Sequence, residues 1–306
     1  MDLRQLGALV AIAEHGGFSA AARSLHTVQS NVSSHVARLE RELGVTLVDR
    51  STGRLTGEGE AVVGRARRVQ AELEALMADV ASVNREVSGN ARIGIIGTTA
   101  RWLTPHLLEA MGTAYPRVHV VVVDATTTSL LPQLDSGQLD LAVVALPVQG
   151  AADVETEALF SEDLILVTPL HHPLAAYDRV TLTELAQHEL LLSARGTAFR
   201  DDLDAQATAE GMTLRARAEV DGVRLLASLA FAGFGVAVLP ASATTQWSGG
   251  EWKQVPVDGV VGRSVGLARR RRGLPSAPAR ALHEVLIQVV AEQAPAQAGI
   301  HLPDHR

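Results

Sequence analysis

A short stretch near the amino terminus carries side chains that suit hydrogen bonding to the edges of DNA bases. Serine, asparagine, glutamine and arginine can pair with base edges in the major groove, whereas long acidic groups would meet phosphate repulsion. The chemistry indicated is therefore non-covalent reading of duplex DNA. The candidate residues are Gln29, Ser30, Asn31, Ser33, Ser34 and Arg38.

These side chains need a helix that presents them on one face. The spacing of Val32, Val36 and Leu39 predicts a helix with one buried apolar stripe, which leaves the polar residues on the opposite side. A shorter helix is predicted before it, with Ser19 as its N-cap and its end near His26. Together they form a helix-turn-helix. An ordinary amphipathic helix with a solvated polar face is the alternative explanation.

The residues that follow predict a small β-wing. Gly44 stands where a C-cap ends the second helix, and residues 47–50 and 54–56 read as two short strands joined by a turn. Arg50 and Arg54 lie at the edges of this wing. We therefore add both arginines to the candidate DNA contacts.

The string from MDLRQL through LVDRSTGRLTGEG resembles the winged helix-turn-helix of LysR-type transcriptional regulators. The resemblance implies a DNA-binding domain over residues 1–58 and a mainly α fold there. It also implies a sequence-specific regulator of transcription rather than an enzyme, with double-stranded promoter DNA and RNA polymerase as partners.

The charge of this region is lower than such a function suggests. Residues 1–88 contain ten arginines, no lysine and eleven acidic residues, although phosphate contacts favour an excess of positive charge. We therefore expect the basic side chains to cluster on the DNA side while the acidic ones face away. The arginines in question are Arg23, Arg38, Arg50 and Arg54, and the glutamates are Glu40, Glu42, Glu58 and Glu60.

Residues 59–88 predict one long linker helix, because they contain no proline and their apolar residues recur in alternating steps of four and three. That heptad pattern is typical of a coiled coil and predicts a homodimer or homotetramer. A linker helix packed on its own domain is the alternative. The proposed dimerisation residues are Val62, Val69, Leu73, Leu76, Val80 and Val83, with Ala66 in the same seam.

Beyond residue 88, strands alternate with helices, which predicts mostly parallel, doubly wound α/β sheets. We expect two lobes in the effector domain, which covers residues 89–306. Lobe I spans about 89–161 and 266–292, lobe II about 162–265, and the tail after Glu292 is expected to fray. The segments DLILVTPLHHPLA and GFGVAVLP resemble the periplasmic-binding-protein type of effector domain that the LysR family carries. The overall fold class is therefore α/β.

Polar residues follow the predicted strands where ligands bind to open α/β sheets. Arg195 can hold a carboxylate through two hydrogen bonds, so the set suits a small anionic effector between the lobes. The alternative is that the hydroxyls cap helices. The candidate residues are Thr98, Thr99, Thr127, Ser129, Ser193, Arg195 and Thr197.

Composition narrows the function further. The 306 residues include no cysteine, which excludes disulfides, thiolate catalysis and the thiol-based peroxide sensing that one branch of the LysR family uses, so a redox response would have to involve methionine. No apolar run reaches the ~18 residues that span a bilayer, and no signal peptide is apparent. We expect a cytoplasmic protein with no membrane partner, cofactor or metal.

Two other functions remain possible on the same lobes. A solute-binding receptor would need an export signal and would lack residues 18–40. An enzyme would need a reactive group, and residues 262–266 match the GxSxG pattern of hydrolases. That motif requires a strand before the serine and a helix after it, whereas a strand is predicted after Ser264.

Overall fold

A computed structural model describes residues 1–83, 87–148, 150, 153–244 and 250–303. The helices are α1 (Leu3–His15), α2 (Phe18–Ser24), α3 (Gln29–Leu43), α4 (Gly57–Val83), α5 (Gly97–Ala114), α6 (Thr127–Asp135), α7 (Leu182–Leu185), α8 (Ala198–Ala209), α9 (Val223–Phe231) and α10 (Ala277–Gln293). The strands are β1 (Val48–Asp49), β2 (Arg54–Leu55), β3 (Gly89–Ile95), β4 (Val118–Asp124), β5 (Leu141–Leu146), β6 (Val154–Glu162), β7 (Leu164–Pro169), β8 (Val180–Thr181), β9 (Glu189–Ser193), β10 (Arg215–Val220), β11 (Ala237–Pro240), β12 (Trp252–Asp258), β13 (Arg263–Arg270) and β14 (Ile300–His301). Short 3-10 turns lie at Pro173–Ala176, Ala241–Ala243 and Ala294–Ala296.

The amino-terminal domain is built on α1, α2 and α3, with β1 and β2 as an antiparallel wing. The predicted stripe of Val32, Val36 and Leu39 is buried in its apolar core. Gly44 ends α3 in the left-handed region at φ 72°, where glycine carries no steric cost. The helix-turn-helix and the wing predicted from the sequence are therefore present.

The boundaries of α2 differ from the prediction. The helix begins at Phe18 after Gly17, and Ser19 does not act as its N-cap. Instead Ser19 Oγ donates to Gln29 Oε1 at 2.7 Å, so this hydroxyl joins α2 to the start of α3. The helix ends at Ser24, because His26 adopts a positive φ of 52°.

The linker helix α4 packs against both halves of the chain. Near its start, Val63 and Ala66 are buried in the amino-terminal core. Further along, its charged side chains contact the effector domain, as an interdomain helix with many ion pairs would. These contacts are Arg68 with Asp135 at 2.7 Å, Glu74 with Arg92 at 2.9 Å, and Asp79 with Arg280 at 3.3 Å and with the Ala277 amide at 2.8 Å.

Lobe I is a six-stranded sheet in the order β14-β6-β13-β5-β3-β4, and α5, α6 and α10 pack on it. Strand β3 is parallel to β4 and β5, but β13 is antiparallel to β5 and β6. The sheet is therefore mixed rather than mostly parallel. The reason is that β13 enters from lobe II without the crossover helix that a parallel neighbour requires.

Lobe II contains the sheet β11-β7-β12-β8 and the parallel pair β9 and β10, which connects to it through a bridge between Leu190 and Val236. The chain crosses between the lobes around Asp163 and again after Asp258. Strand β13 begins at Arg263 and pairs with β5 and β6, so the chain re-enters the lobe I sheet close to the predicted boundary at about 266.

The tail does not fray after Glu292 as expected. Strand β14 pairs with β6 opposite Ser161 and Glu162, and Ile300 is buried in the core of lobe I. The Asp163 amide also donates to the carbonyl of Gly299 at 2.8 Å. A buried isoleucine and paired backbone hold this segment, whereas residues 304–306 lie outside the described part of the chain. None of the helices described is long and apolar enough to cross a membrane.

Candidate DNA-binding surface and effector cleft

Helix α3 presents its predicted base-reading side chains on one open surface. Gln29 is the first residue of the helix, and Ser30, Asn31, Ser34 and Arg38 are exposed, while Ser33 is half-buried. Asn31 Nδ2 donates to Thr27 Oγ1 at 2.9 Å. The predicted face is therefore continuous and accessible, backed by the buried stripe of the same helix.

The wing is fastened to α3 through one arginine and one glutamate. Arg50 Nη1 donates to Ser33 Oγ at 3.0 Å, and Arg50 Nη2 contacts Glu40 Oε2 at 3.3 Å. Glu40 Oε1 accepts the amides of Leu47 and Val48 at 2.9 and 3.2 Å. The expectation that Glu40 faces away is therefore wrong, because its carboxylate satisfies the first amides of the wing and offsets Arg50.

The turn of the wing holds a second carboxylate. Asp49 accepts hydrogen bonds from the hydroxyl of Ser51 at 2.6 Å, from its amide at 2.8 Å and from Thr52 Oγ1 at 3.0 Å. These bonds, the Ser51 hydroxyl first, hold the pKa of Asp49 below its ordinary value. Arg54 is exposed on β2. The wing thus exposes the side chains of Arg50 and Arg54. The ionised carboxylate of Asp49 accepts hydrogen bonds from donors in the turn.

In lobe I, Thr98 and Thr99 lie in the first turn of α5, and both are buried. Thr98 Oγ1 accepts a hydrogen bond from Arg263 Nη2 at 2.7 Å. Thr99 Oγ1 has no hydrogen-bond partner within the described residues, although it is inaccessible to solvent. A buried hydroxyl of this kind calls for a partner.

The hydroxyls at the start of α6 have local roles. Thr127 Oγ1 accepts the amide of Ala145 at 3.1 Å and so joins α6 to β5. Ser129 Oγ accepts from Thr126 Oγ1 at 3.1 Å and is exposed. Thr127 Oγ1 therefore joins two elements of lobe I and does not cap a helix.

In lobe II the predicted residues surround the end of β9. Ser193 is buried there, and its Oγ has no partner among the residues described. Thr197 Oγ1 donates to the carbonyl of Ala194 at 2.8 Å. Arg195 is mostly exposed and contacts Glu219 at 3.3 Å.

The sequence interpretation missed Arg200, which shares Glu219 with Arg195. Arg200 is buried, and its Nη1 donates to the carbonyl of Ser193 at 2.9 Å and contacts Glu219 at 3.3 Å. Its Nε also pairs with Asp204 at 2.7 Å. Arg200 is the third residue of α8, and nothing in the local sequence indicates that its side chain is buried.

The sequence interpretation also missed Arg263, at the start of β13. Its Nε donates to Glu162 Oε1 at 2.8 Å, and the Glu162 side chain is fully buried. Glu162 Oε2 accepts the amide of Ser242 in lobe II at 2.8 Å. Arg263 therefore links the crossing segments to the first turn of α5 through Thr98. The one hint in the sequence was that Arg263 lies inside the GxSxG match at residues 262–266.

The structure brings only part of the predicted effector set together. Thr98 meets Arg263, but no hydrogen bond within the described ranges joins the predicted residues of lobe I to those of lobe II. Convergence of the whole set around one ligand stays a prediction. The lobe I residues are Thr98, Thr99, Thr127 and Ser129, and the lobe II residues are Ser193, Arg195 and Thr197.

The linker helix leaves an apolar stripe exposed. Leu76 and Val80 are 61% and 64% exposed, and Val69 and Leu73 are 41% and 36% exposed. Met77, which the heptad seam did not include, is 63% exposed. Val62 and Ala66, in contrast, pack against the amino-terminal core. The first turns of α4 therefore lie on the helix's own domain, which is the alternative to a coiled coil. The side chain of Val83 lies outside the described residues.

The motif at residues 262–266 does not form a nucleophile elbow. Ser264 lies within β13, paired with Leu146 and Ser161 in the middle of the sheet. The described part of the chain contains no group of three or more histidine, aspartate and glutamate side chains placed to hold a metal ion.

Comparison with known proteins gives two family matches. The profile described as "LysR substrate binding domain" matches residues 84–291, and the profile "Bacterial regulatory helix-turn-helix protein, lysR family" matches residues 3–60. The chain is 36% identical over 275 residues to the "Probable hydrogen peroxide-inducible genes activator" of Streptomyces viridosporus, which covers 88% of each chain. It is 33% identical over 307 residues to the "DNA-binding transcriptional dual regulator OxyR" of Escherichia coli K12, which covers 95% of each.

A solved structure has the same architecture. A full-length OxyR variant from Pseudomonas aeruginosa, in which one cysteine is replaced by aspartate, matches with a TM-score of 0.77 at 28% identity, over 100% of this chain and 99% of that one. These relatives are regulators, in agreement with the expectation that the chain is not an enzyme. The protein belongs to the LysR family of DNA-binding transcriptional regulators.

Proposed function

We propose that this regulator binds its promoter as a homodimer or homotetramer, with α3 in the major groove and the wing on the backbone. The observation that carries this proposal is the exposed polar face of α3 on a helix whose other face is buried. Two-fold pairing through the apolar stripe of α4 would present two such helices to successive grooves. We place the protein in the cytoplasm, in contact with RNA polymerase at the promoter.

Arg38→Ala and Gln29→Ala should each weaken binding to the cognate promoter by about 1 to 3 kcal/mol, because both side chains can pair with base edges. Fluorescence anisotropy with the promoter fragment and with a scrambled fragment measures the effect. The matched control is Arg179→Ala, which removes an exposed arginine from lobe II. An unchanged affinity would remove these two residues from the contact surface, and an equal loss on both fragments would assign them to phosphates.

We infer that the effector is a small anion held between the lobes. Support comes from the Arg263 guanidinium on Thr98 and from the buried, unpartnered hydroxyl of Thr99 at the same turn of α5. Ligand binding would change the separation of the lobes and, through α4, the spacing of the DNA-binding domains. Footprinting on the chain's own promoter tests this coupling: a footprint that no anionic metabolite alters would contradict it.

We further propose that the response does not depend on thiol oxidation. Several relatives are named as hydrogen peroxide-inducible genes activators, but thiol-based sensing of peroxide needs a reactive thiolate. This chain has no cysteine. In this proposal a bound ligand supplies the free energy that shifts its conformation.

Hydrogen peroxide should leave the promoter affinity and footprint unchanged at doses that oxidise a free thiol. Intact-mass spectrometry would report any methionine oxidation, for which the exposed Met77 is the most accessible internal candidate among the described methionines. A peroxide-induced change of footprint that disappears in Met77→Leu would contradict the proposal and assign sensing to that thioether.

A further inference from the structure

One arginine of lobe II reaches the edge of lobe I where two parallel strands end. Gly97 is the first residue of α5, and Asp124 is the last residue of β4, in register with Ile95 of β3. A methyl group at Gly97 would lie 2.9 Å from Asp124 Oδ1 and 3.0 Å from Arg224 Nε. The Arg224 guanidinium therefore lies directly over the start of α5.

Arg224 comes from the first turn of α9, in lobe II, and it forms an ion pair with Asp124 through Nη1 and Oδ2. The pair therefore crosses from one lobe to the other. Its side chains are 61% and 30% exposed, so water and solutes reach both groups.

The second arginine at α5 is held differently. Arg263 contacts Glu162, whose side chain has no exposed surface and also accepts the Ser242 amide. Removing one partner of a buried pair strands an uncompensated charge, whereas an exposed pair separates at little cost. The Arg263–Glu162 pair is therefore a fixed contact within lobe I, joined to lobe II through the Ser242 amide, whereas the Arg224 contact between the lobes is reversible.

We propose that the Asp124–Arg224 ion pair is an interlobe latch that holds the lobes in their resting arrangement. A ligand that comes against Gly97 has to displace the two side chains, because even a methyl group there would lie 2.9 Å from Asp124 Oδ1 and 3.0 Å from Arg224 Nε. The latch rests on the proposed function, since its regulatory effect requires that lobe separation alters DNA binding. An exposed pair of this kind shifts a conformational equilibrium about two- to fivefold.

Distance measurement between the lobes tests the latch without any ligand. Because the chain has no cysteine, Glu109→Cys in α5 and Asp202→Cys in α8 place one spin label on each lobe at exposed positions. Dilution with unlabelled full-length chain leaves one labelled subunit per assembly, and double electron–electron resonance gives the intramolecular distance. Asp124→Asn and Arg224→Gln should each raise the population at longer distance about two- to fivefold.

Gly97→Ala should act in the same direction, because its methyl group crowds both charged groups without removing either charge. Asp258→Asn is the matched control, since it removes an exposed Asp–Arg pair with Arg179 that lies wholly within lobe II. Distances that stay unchanged in Asp124→Asn and Arg224→Gln overturn the latch. Failure of the wild-type chain to prefer its promoter overturns the proposed function instead, whatever the distances show.

Discussion

Leu76→Asp should leave the chain folded but monomeric, and promoter binding should fall to the level of random DNA. The leucine is 61% exposed in the single chain, so an aspartate there does not disturb the core of either domain. In a two-fold seam each substitution counts twice and brings like charges together. We expect a loss of about 4 kcal/mol, or roughly a thousandfold in the dimer dissociation constant. Analytical ultracentrifugation and anisotropy measure the two effects.

Leu170→Asp is the matched control, because this leucine is 56% exposed on lobe II, far from α4 in the sequence. It should leave both assembly and promoter affinity unchanged. A Leu76→Asp protein that still sediments as a dimer would show that the stripe on α4 is not the interface. Leu73 is the weaker choice for this test, because only 36% of it is exposed.

Arg263→Met should destabilise the pairing of β6 and β13 in lobe I by about 3 to 5 kcal/mol, because it leaves the Glu162 carboxylate buried without its cation. The same change removes the donor to Thr98 Oγ1. Native-state hydrogen exchange of the β6 and β13 amides measures the free energy of local opening. This measurement is preferred because global unfolding of a chain with several domains is not a two-state transition.

The double variant Glu162→Gln/Arg263→Met should recover most of that loss, since no charge is then stranded. Arg179→Met, which breaks an exposed pair with Asp258, should change stability by less than about 1 kcal/mol. Equal protection of β6 and β13 in Arg263→Met and the wild type would show that this pair does not stabilise the edge of lobe I where the two strands meet.

The helix-turn-helix was predictable because its signals are local. Val32, Val36 and Leu39 repeat at helical spacing and Gly44 ends the helix, so neighbours in sequence suffice to place the polar face. The apolar stripe on α4 that includes Leu73, Leu76 and Val80 was also predictable, because its spacing is a local pattern. Periodicity alone could not tell that Val62 packs on its own domain, because a buried face looks the same whichever surface covers it.

The missed residues depend on contacts between distant parts of the chain. Arg263 and Thr98 are 165 positions apart, and no spacing rule connects them. Glu40 was expected to face away from the DNA side. Its position in the helix gives no sign that its carboxylate accepts hydrogen bonds from the wing amides of Leu47 and Val48. The expectation of a mostly parallel sheet failed for the same reason, since the antiparallel direction of β13 depends on where the chain returns from lobe II.

The ion pairs along α4 determine which lobe of the effector domain is attached to this helix. In the ranges that the structure describes, the effector-domain partners in those pairs are Asp135, Arg92 and Arg280, all in lobe I. Within a subunit, these pairs fasten α4 to lobe I, and none of the ion pairs described joins α4 to lobe II. We therefore expect a ligand that changes the arrangement of the lobes to act on the DNA-binding domain through lobe I and α4, as the proposed function requires.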